Sequence, residues 1–349
     1  MVRENKINYD MIDLLKFIAA ICVVAIHSLP HDILGNDLRV FTRFSVPFFF
    51  IVSSYFLFKK ITFKNAVNDR KRIHQYCLRV LKLYFYWLLI YTPYWLRSIK
   101  DIVQSDYTKV NGLWFIIKMS LGYVPTIGVT WYLMASIISV LITYYIRRFL
   151  GRNTLIIVMI LSFLIGILTS TYGKWYFEIQ SLKSIPIAGS ISFSFLSTIC
   201  YVILGYFLSK SGSLVSDEVK SKHFLMYFVV FSIIGFFEVY FAQSLGVFKD
   251  GQNFILLPLI TISLFLFGIN SQQRISMAPL LRKSSTIIYL AQNPVKFVIF
   301  AIARRLKVAT FTYDNFFVFF VQLVVLMLIC LVIVNLSQQK GFHWLANFY

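Results

Sequence analysis

Long apolar runs alternate along the chain with short polar, mostly basic connectors. The runs fall at roughly 11–30, 41–58, 80–96, 130–147, 154–170, 190–208, 223–241, 253–270, 285–303 and 315–336. Most approach the roughly 20 residues that an α-helix needs to cross a hydrocarbon layer about 30 Å thick. The pattern therefore predicts an all-α integral membrane protein: a single bundle of about ten transmembrane helices forming one membrane domain over residues 1–349, without a soluble domain, a low-complexity tract or an internal repeat. The first run lacks a convincing cleavage site and is followed by many others, so it is expected to remain in the mature chain. One stretch breaks the pattern. "GLWFIIKMSLGYVPTIGVTWYLMAS" is too long for one span and is interrupted by Lys118, Gly122, Pro125 and Gly128. A re-entrant or interfacial segment is expected there, because irregular backbone at membrane depth survives only against protein or a wet cavity. Pro47, Pro258 and Pro294 invite kinks that open a central cavity.

Composition removes the soluble alternative, since 58% of the residues are hydrophobic and only 14% charged, with a mean hydropathy of +0.73. A net charge of +20 would suggest a nucleic-acid partner in a soluble protein. Here its distribution points to topology instead. With a cytoplasmic N-terminus, about 20 of the 34 lysines and arginines fall on the inner side against about 12 outside, which places both termini in the cytoplasm. The longest inner connector, Lys59 to Tyr84, is strongly basic, and Arg72, Arg79 and Lys82 share a side if it is helical. It reads as attraction to anionic lipid heads or as a dock for a phosphorylated cofactor. Nucleic acid is not needed to explain the interleaved aromatics, which suit a membrane interface. Cys22, Cys77, Cys200 and Cys330 are scattered and form neither a disulfide framework nor a metal motif.

Ionisable residues inside the first span are the strongest functional signal, because lipid penalises them. Lys16 and His27 are eleven residues apart, just over three turns, so they share one helix face about 16 Å apart. Ala20 and Val23 lie between them and would leave a narrow track. Asp13, one turn before Lys16, is placed to pair with it. The plain alternatives are an interfacial pair with a snorkelling lysine and a helix-end histidine bonded to a neighbouring span. His27, His31 and Asp32 make a poor metal site because Pro30 disrupts helical spacing. No metal is expected, and no GxSxG elbow or P-loop is present.

The order of motifs resembles the acyltransferase 3 family, multi-span proteins that acylate sugars and cell-envelope polymers. The family's first span carries a basic residue, ten intervening residues and a histidine; Lys16 and His27 stand at that spacing where arginine and histidine are usual. "RFSVPFFFIVSSYFL" from Arg43 resembles the second-span block, with Ser53-Ser54 where Ser-Gly is common. "TWYLMAS" from Thr130, Glu238 in "FFEVYFA" and "SSTIIYLAQNPV" from Ser284 resemble later blocks. The opening also resembles the membrane part of the serine racemases linked to glycopeptide resistance, with no racemase domain expected to follow. Two departures are visible. Lys16 keeps the charge but lacks the bidentate fork of arginine, and Gln292 stands where many relatives have histidine.

The resemblance implies a bacterial cell-membrane O-acyltransferase, in the first place an O-acetyltransferase. It would have no resident cofactor and would use acetyl-CoA or another cytoplasmic acyl-CoA as donor. Its acceptor would be a hydroxyl of an extracytoplasmic polysaccharide or a lipid-linked glycan precursor, with membrane lipids as neighbours. His27 would act as general base or carry the acyl group transiently. Lys16, aided by Arg72 and Arg79, would hold the donor. Asp13, Arg43, Trp131, Tyr132, Glu238, Tyr289 and Gln292 are the candidate substrate-binding residues. A transporter or flippase of a glycolipid or metabolite would use the same intramembrane polar groups and is the rival reading.

Overall fold

The computed structural model describes residues 9–104, 117, 120–121, 125–174, 194–211, 218–308 and 315–349. Among these the regular elements are helical and no strand occurs. They are α1 (Asp10–Ser28), α2 (Ile33–Thr42), α3 (Ser45–Lys59), α4 (Ala66–Ile90), α5 (Thr92–Gln104), α6 (Trp131–Tyr145), α7 (Gly151–Leu168), α8 (Ser194–Lys210), α9 (Glu218–Ser244), α10 (Leu257–Asn270), α11 (Ala278–Arg305) and α12 (Phe316–Leu336). Short tight turns of helix run over Pro125–Thr130 and His343–Phe348, and a wide π-type turn runs over Ile146–Leu150. Ten residues of the interrupted stretch expected to be re-entrant, including Lys118 and Gly122, lie outside the described residues.

Among the described residues six stretches are long and apolar enough to cross a membrane, against ten expected along the chain: Asp10–Ser28, Ile33–Lys59, Gly128–Leu168, Lys220–Ser244, Ala278–Arg305 and Phe316–Leu336. The differences have local causes. The run 130–147 and all but the last two residues of 154–170 fall within Gly128–Leu168, whose 41 residues would reach about 60 Å if straight, twice the hydrocarbon thickness. Gly151, with φ +94°, breaks this stretch in a conformation that residues with a Cβ rarely adopt. The runs 190–208 and 253–270 give the shorter apolar helices Leu196–Lys210 and Leu257–Asn270. Residues 190–193 lie outside the described ones. The run 80–96 is divided at Tyr91 between α4 and α5, and the first half of α4 is charged and exposed.

Helix α1 occupies the centre, touching α2, α3, α10, α11 and α12. Ala19, Ala20, Val23 and Val24 are at most 1% exposed, so the small side chains at mid-helix serve close packing. The α3–α8 contact is tighter still. A Cβ on Gly205 of α8 would collide with the Ser54 hydroxyl and the Ile51 carbonyl of α3. Ser54 turns its hydroxyl back onto the Phe50 carbonyl, 2.7 Å, and so buries its polar atom without cost to the approach. Outer helices present apolar residues to their surroundings, as Val229, Ile233, Phe237 and Tyr240 do on α9, where lipid would meet them.

The connector between α3 and α4 is a built turn. Asp69 accepts from the backbone N–H groups of Thr62 (3.1 Å) and Phe63 (2.8 Å), and Lys210 donates to the carbonyls of Phe58 (2.7 Å) and Ile61 (2.5 Å). The Phe63 ring lies between Arg147 and Lys210, 5.4 and 5.8 Å from the cations.

Candidate functional site

A cavity of about 290 Å³ opens beside the last turn of α1, lined by His27, Arg43, Phe50, Trp131, Ser197, Thr198, Tyr201, Gln252, Asn253 and Tyr289, with Val23, Ile26, Val46 and Pro47. Six segments build it. His27 comes from α1, just before the helix ends at Leu29, whose extended backbone leads into Pro30. Arg43 is held by the tight joint between α2 and α3. Trp131 opens α6, Tyr289 belongs to α11, and Ser197, Thr198 and Tyr201 share one side of α8. Gln252 and Asn253 come from the loop before α10.

The His27 side chain is accessible, and it is accessible toward this cavity. Its ring makes no hydrogen bond among the described residues, while its backbone carbonyl accepts from Lys296 Nζ at 2.5 Å. Arg43, Lys296 and Arg39 all lie within electrostatic range of the ring. Arg39 donates to the Leu29 carbonyl and, at 2.6 Å, to the Asn36 side chain, bracing the turn after α1. Arg43 reaches the Asp250 backbone carbonyl at 3.3 Å.

Behind the cavity wall, hydrogen bonds connect two further helices to the residue after His27. Ser28 donates to the Gln322 side-chain oxygen (2.7 Å), Gln322 donates to the Gln292 carbonyl (2.8 Å), and Gln292 donates to the Tyr289 carbonyl (2.7 Å). The chain ties α1 to α12 and α11, fixing the end of α1 relative to Tyr289. Gln292 itself is 1% exposed and does not line the cavity. Its side-chain oxygen is buried without a hydrogen-bond partner among the described residues.

The remaining sequence candidates are placed as follows. Tyr132 sits behind the wall, its ring 4.6 Å from Phe50 and 5.3 Å from Tyr289. Glu238 is away from the cavity and ties α9 to the start of α10, accepting from the N–H groups of Ile255 (2.6 Å) and Leu256 (3.1 Å) and from the Tyr172 hydroxyl (3.1 Å). Burial, and then the Glu238 charge, push the Tyr172 phenol up to about 12, so it stays a donor. Arg72 and Arg79 are both exposed on α4 and do not border the cavity.

Two expectations about α1 are corrected. Asp13 does not pair with Lys16; its carboxylate is bonded to Arg282, 2.9 Å to Nε and 2.6 Å to the terminal nitrogen, because α11 brings a guanidinium whose fork fits a carboxylate better than an ammonium does. Nor does an open track join Lys16 to His27. The cavity stops at Val23, and Ala20 beyond it is 0% exposed, since the small residues let neighbouring helices pack against α1 instead of leaving a channel. Lys16 lies at the opposite end of the helix from the cavity, with Asp13, Arg282 and Arg79 in electrostatic range.

Sequence reasoning missed Ser197, Thr198, Tyr201, Gln252, Asn253 and the Ser28–Gln322 link. The first three sit in an ordinary apolar run, where small hydroxyls and a tyrosine carry no distinguishing signal. Gln252 and Asn253 stand in the polar connector "KDGQN", which marks a turn and nothing more.

The family profile described as "Acyltransferase domain" matches residues 9–336. An amino-acid racemase from Enterococcus faecalis is 23% identical over 320 residues, 87% of this chain and 43% of the relative. A second amino-acid racemase from Enterococcus faecalis is 24% identical over 264 residues, 72% of this chain and 34% of the relative. A serine/alanine racemase from Enterococcus gallinarum is 38% identical over 92 residues, 25% of this chain and 13% of the relative. The chain thus spans less than half the length of these curated relatives. No solved structure matches. With the acyltransferase match running through nearly every described helix and the cavity residues inside it, the chain belongs to the acyltransferase 3 family of membrane proteins.

Proposed function

We propose that the protein is a bacterial cell-membrane O-acyltransferase, with both termini cytoplasmic, that moves an acyl group, in the first place acetyl, from cytoplasmic acyl-CoA to a hydroxyl of an extracytoplasmic polysaccharide or lipid-linked glycan. The observation that carries this reading is the His27 imidazole, free of hydrogen bonds among the described residues and facing a cavity shared with Arg43, Trp131 and Tyr289. Neutral imidazole can accept the acceptor's hydroxyl proton as its oxygen attacks the thioester carbonyl carbon. The carbon–sulfur bond then breaks, and the imidazolium returns the proton to the departing thiolate, leaving an ester and free coenzyme A.

Size constrains the geometry. About 290 Å³ is at the lower limit of small-molecule sites, enough for a sugar ring or a thioester end but not for a whole coenzyme. The adenine end would stay on the basic side with Lys16 and Arg79 while the extended arm follows α1 for the roughly 16 Å to His27. Since Ala20 and Val23 are buried, the arm enters only if α1's neighbours separate at that level.

The test is transfer of label from radiolabelled acetyl-CoA to envelope fractions, comparing the wild-type protein with His27→Ala. Loss of about 10²- to 10⁴-fold is expected from removing a general base. Retained transfer by a folded His27→Ala protein removes the assignment, and counterflow of substrate without acylated product would favour transport instead.

A further inference from the structure

We propose that the acceptor binds through an oxyanion, a phosphate or carboxylate close to the hydroxyl that is acylated, and that Arg43 is the residue that grips it. Arg43 has five N–H donors, yet among the described residues it makes one hydrogen bond, to the Asp250 backbone carbonyl at 3.3 Å. Its other nitrogens are not sealed in the protein, and the side chain lines the cavity with His27. A guanidinium within a candidate membrane span, Ile33–Lys59, with most of its donors turned to a void is costly unless something acidic comes to it.

The surrounding charges agree. The charges that reach His27 are those of Arg43, Lys296 and Arg39, all positive. Asp250 is the acid whose charge reaches Arg43, but its carboxylate is already engaged by the Ser170 hydroxyl (2.5 Å), the Gln252 backbone N–H (3.1 Å) and the Gln252 side-chain amide (3.2 Å). It moderates the positive field without occupying Arg43's fork. A neutral sugar offers that fork only uncharged hydroxyl acceptors, whereas a phosphate or carboxylate fits it two charge-assisted bonds at a time. The same grip would hold the neighbouring hydroxyl against His27, which is how binding remote from the reacting atoms orients them.

Assigning the anion to the acceptor rests on the acyl-transfer reading of the cavity; the anion preference itself does not. The experiment therefore measures binding without any acyl donor. The detergent-solubilised full chain is titrated with glucose 1-phosphate, glucuronate and glucose. At least one of the two anionic sugars is expected to bind about ten-fold or more tighter than glucose, and whichever binds better names the oxyanion. Arg43→Gln should abolish the preference, and Arg43→Lys should retain part of it. Asp250→Asn should strengthen anion binding several-fold, an opposite sign that misfolding does not produce. Glucose binding as tightly as both anionic sugars overturns the proposal. So does a preference that survives Arg43→Gln but disappears in Lys16→Gln, which would put the anion at the other end of α1. An anion preference without label transfer would sink the acyltransferase reading and leave Arg43's role standing; transfer without anion preference does the reverse.

Discussion

Replacing Arg282 by alanine should destabilise the protein more than its exposed position suggests. Arg282 is 60% exposed, whereas its partner Asp13 is only 7% exposed at the side chain. Alanine removes the two bonds, 2.9 and 2.6 Å, that hold the Asp13 carboxylate. Lys16 remains in electrostatic range but makes no hydrogen bond to Asp13, so the carboxylate is left under-satisfied. Stranding a fully buried ion costs about 3–5 kcal/mol; the exposed guanidinium lets water reach one side, which lowers the figure to roughly 2–4 kcal/mol. For 349 residues, the usual unfolding entropy per residue converts this to about 3–6 °C of melting temperature. Asp13→Asn, which takes away the charge and keeps an acceptor, should cost about half as much. The double variant should lie closer to Asp13→Asn than to the sum of the two. The assay is thermal unfolding of the purified protein in detergent, read by tryptophan fluorescence. An Arg282→Ala protein melting within 1 °C of wild type, or strictly additive losses, would refute the account of Asp13 as a structural anchor of α1.

Lys16→Arg should lower KM for acyl-CoA several-fold with little change in kcat, because a bidentate fork replaces a point charge at the donor's entrance; an unchanged KM argues against donor contact at this end. Ser28→Ala breaks the link to Gln322 and leaves its buried amide oxygen without a donor, which should cost about 1–3 kcal/mol in the same melting assay; no loss would mean that the end of α1 is held by other contacts. Gly205→Val should prevent α3 and α8 from closing and sharply reduce the yield of folded protein, checked by size-exclusion chromatography, whereas Ser54→Gly should be tolerated.

The candidate site was legible where chemistry conflicts with environment. A histidine at the end of an apolar helix stands out against lipid, and His27 does line the cavity; Arg43 and Trp131, carried by family-like blocks, line it too. Tyr289 was carried by its place in a family-like block. Glu238 stands out by the same contrast, yet its charge is spent on two backbone N–H groups at the start of α10. A sequence shows that an ion is inside and leaves open what it is inside with.

The sequence by itself determined the helical membrane architecture, because lipid satisfies no backbone polar group and every long apolar run must satisfy its own by coiling. It also determined that Lys16 and His27 share a flank of α1, since helix periodicity is local. The tertiary structure decided everything that depends on which helices meet. Arg282 reached Asp13 before Lys16 could claim it, and Ala20 was packed shut. Hydroxyls of α8 and the amides of the loop before α10 completed the cavity around His27. These outcomes come from contacts between residues as many as 269 positions apart, where packing and charge pairing override local spacing.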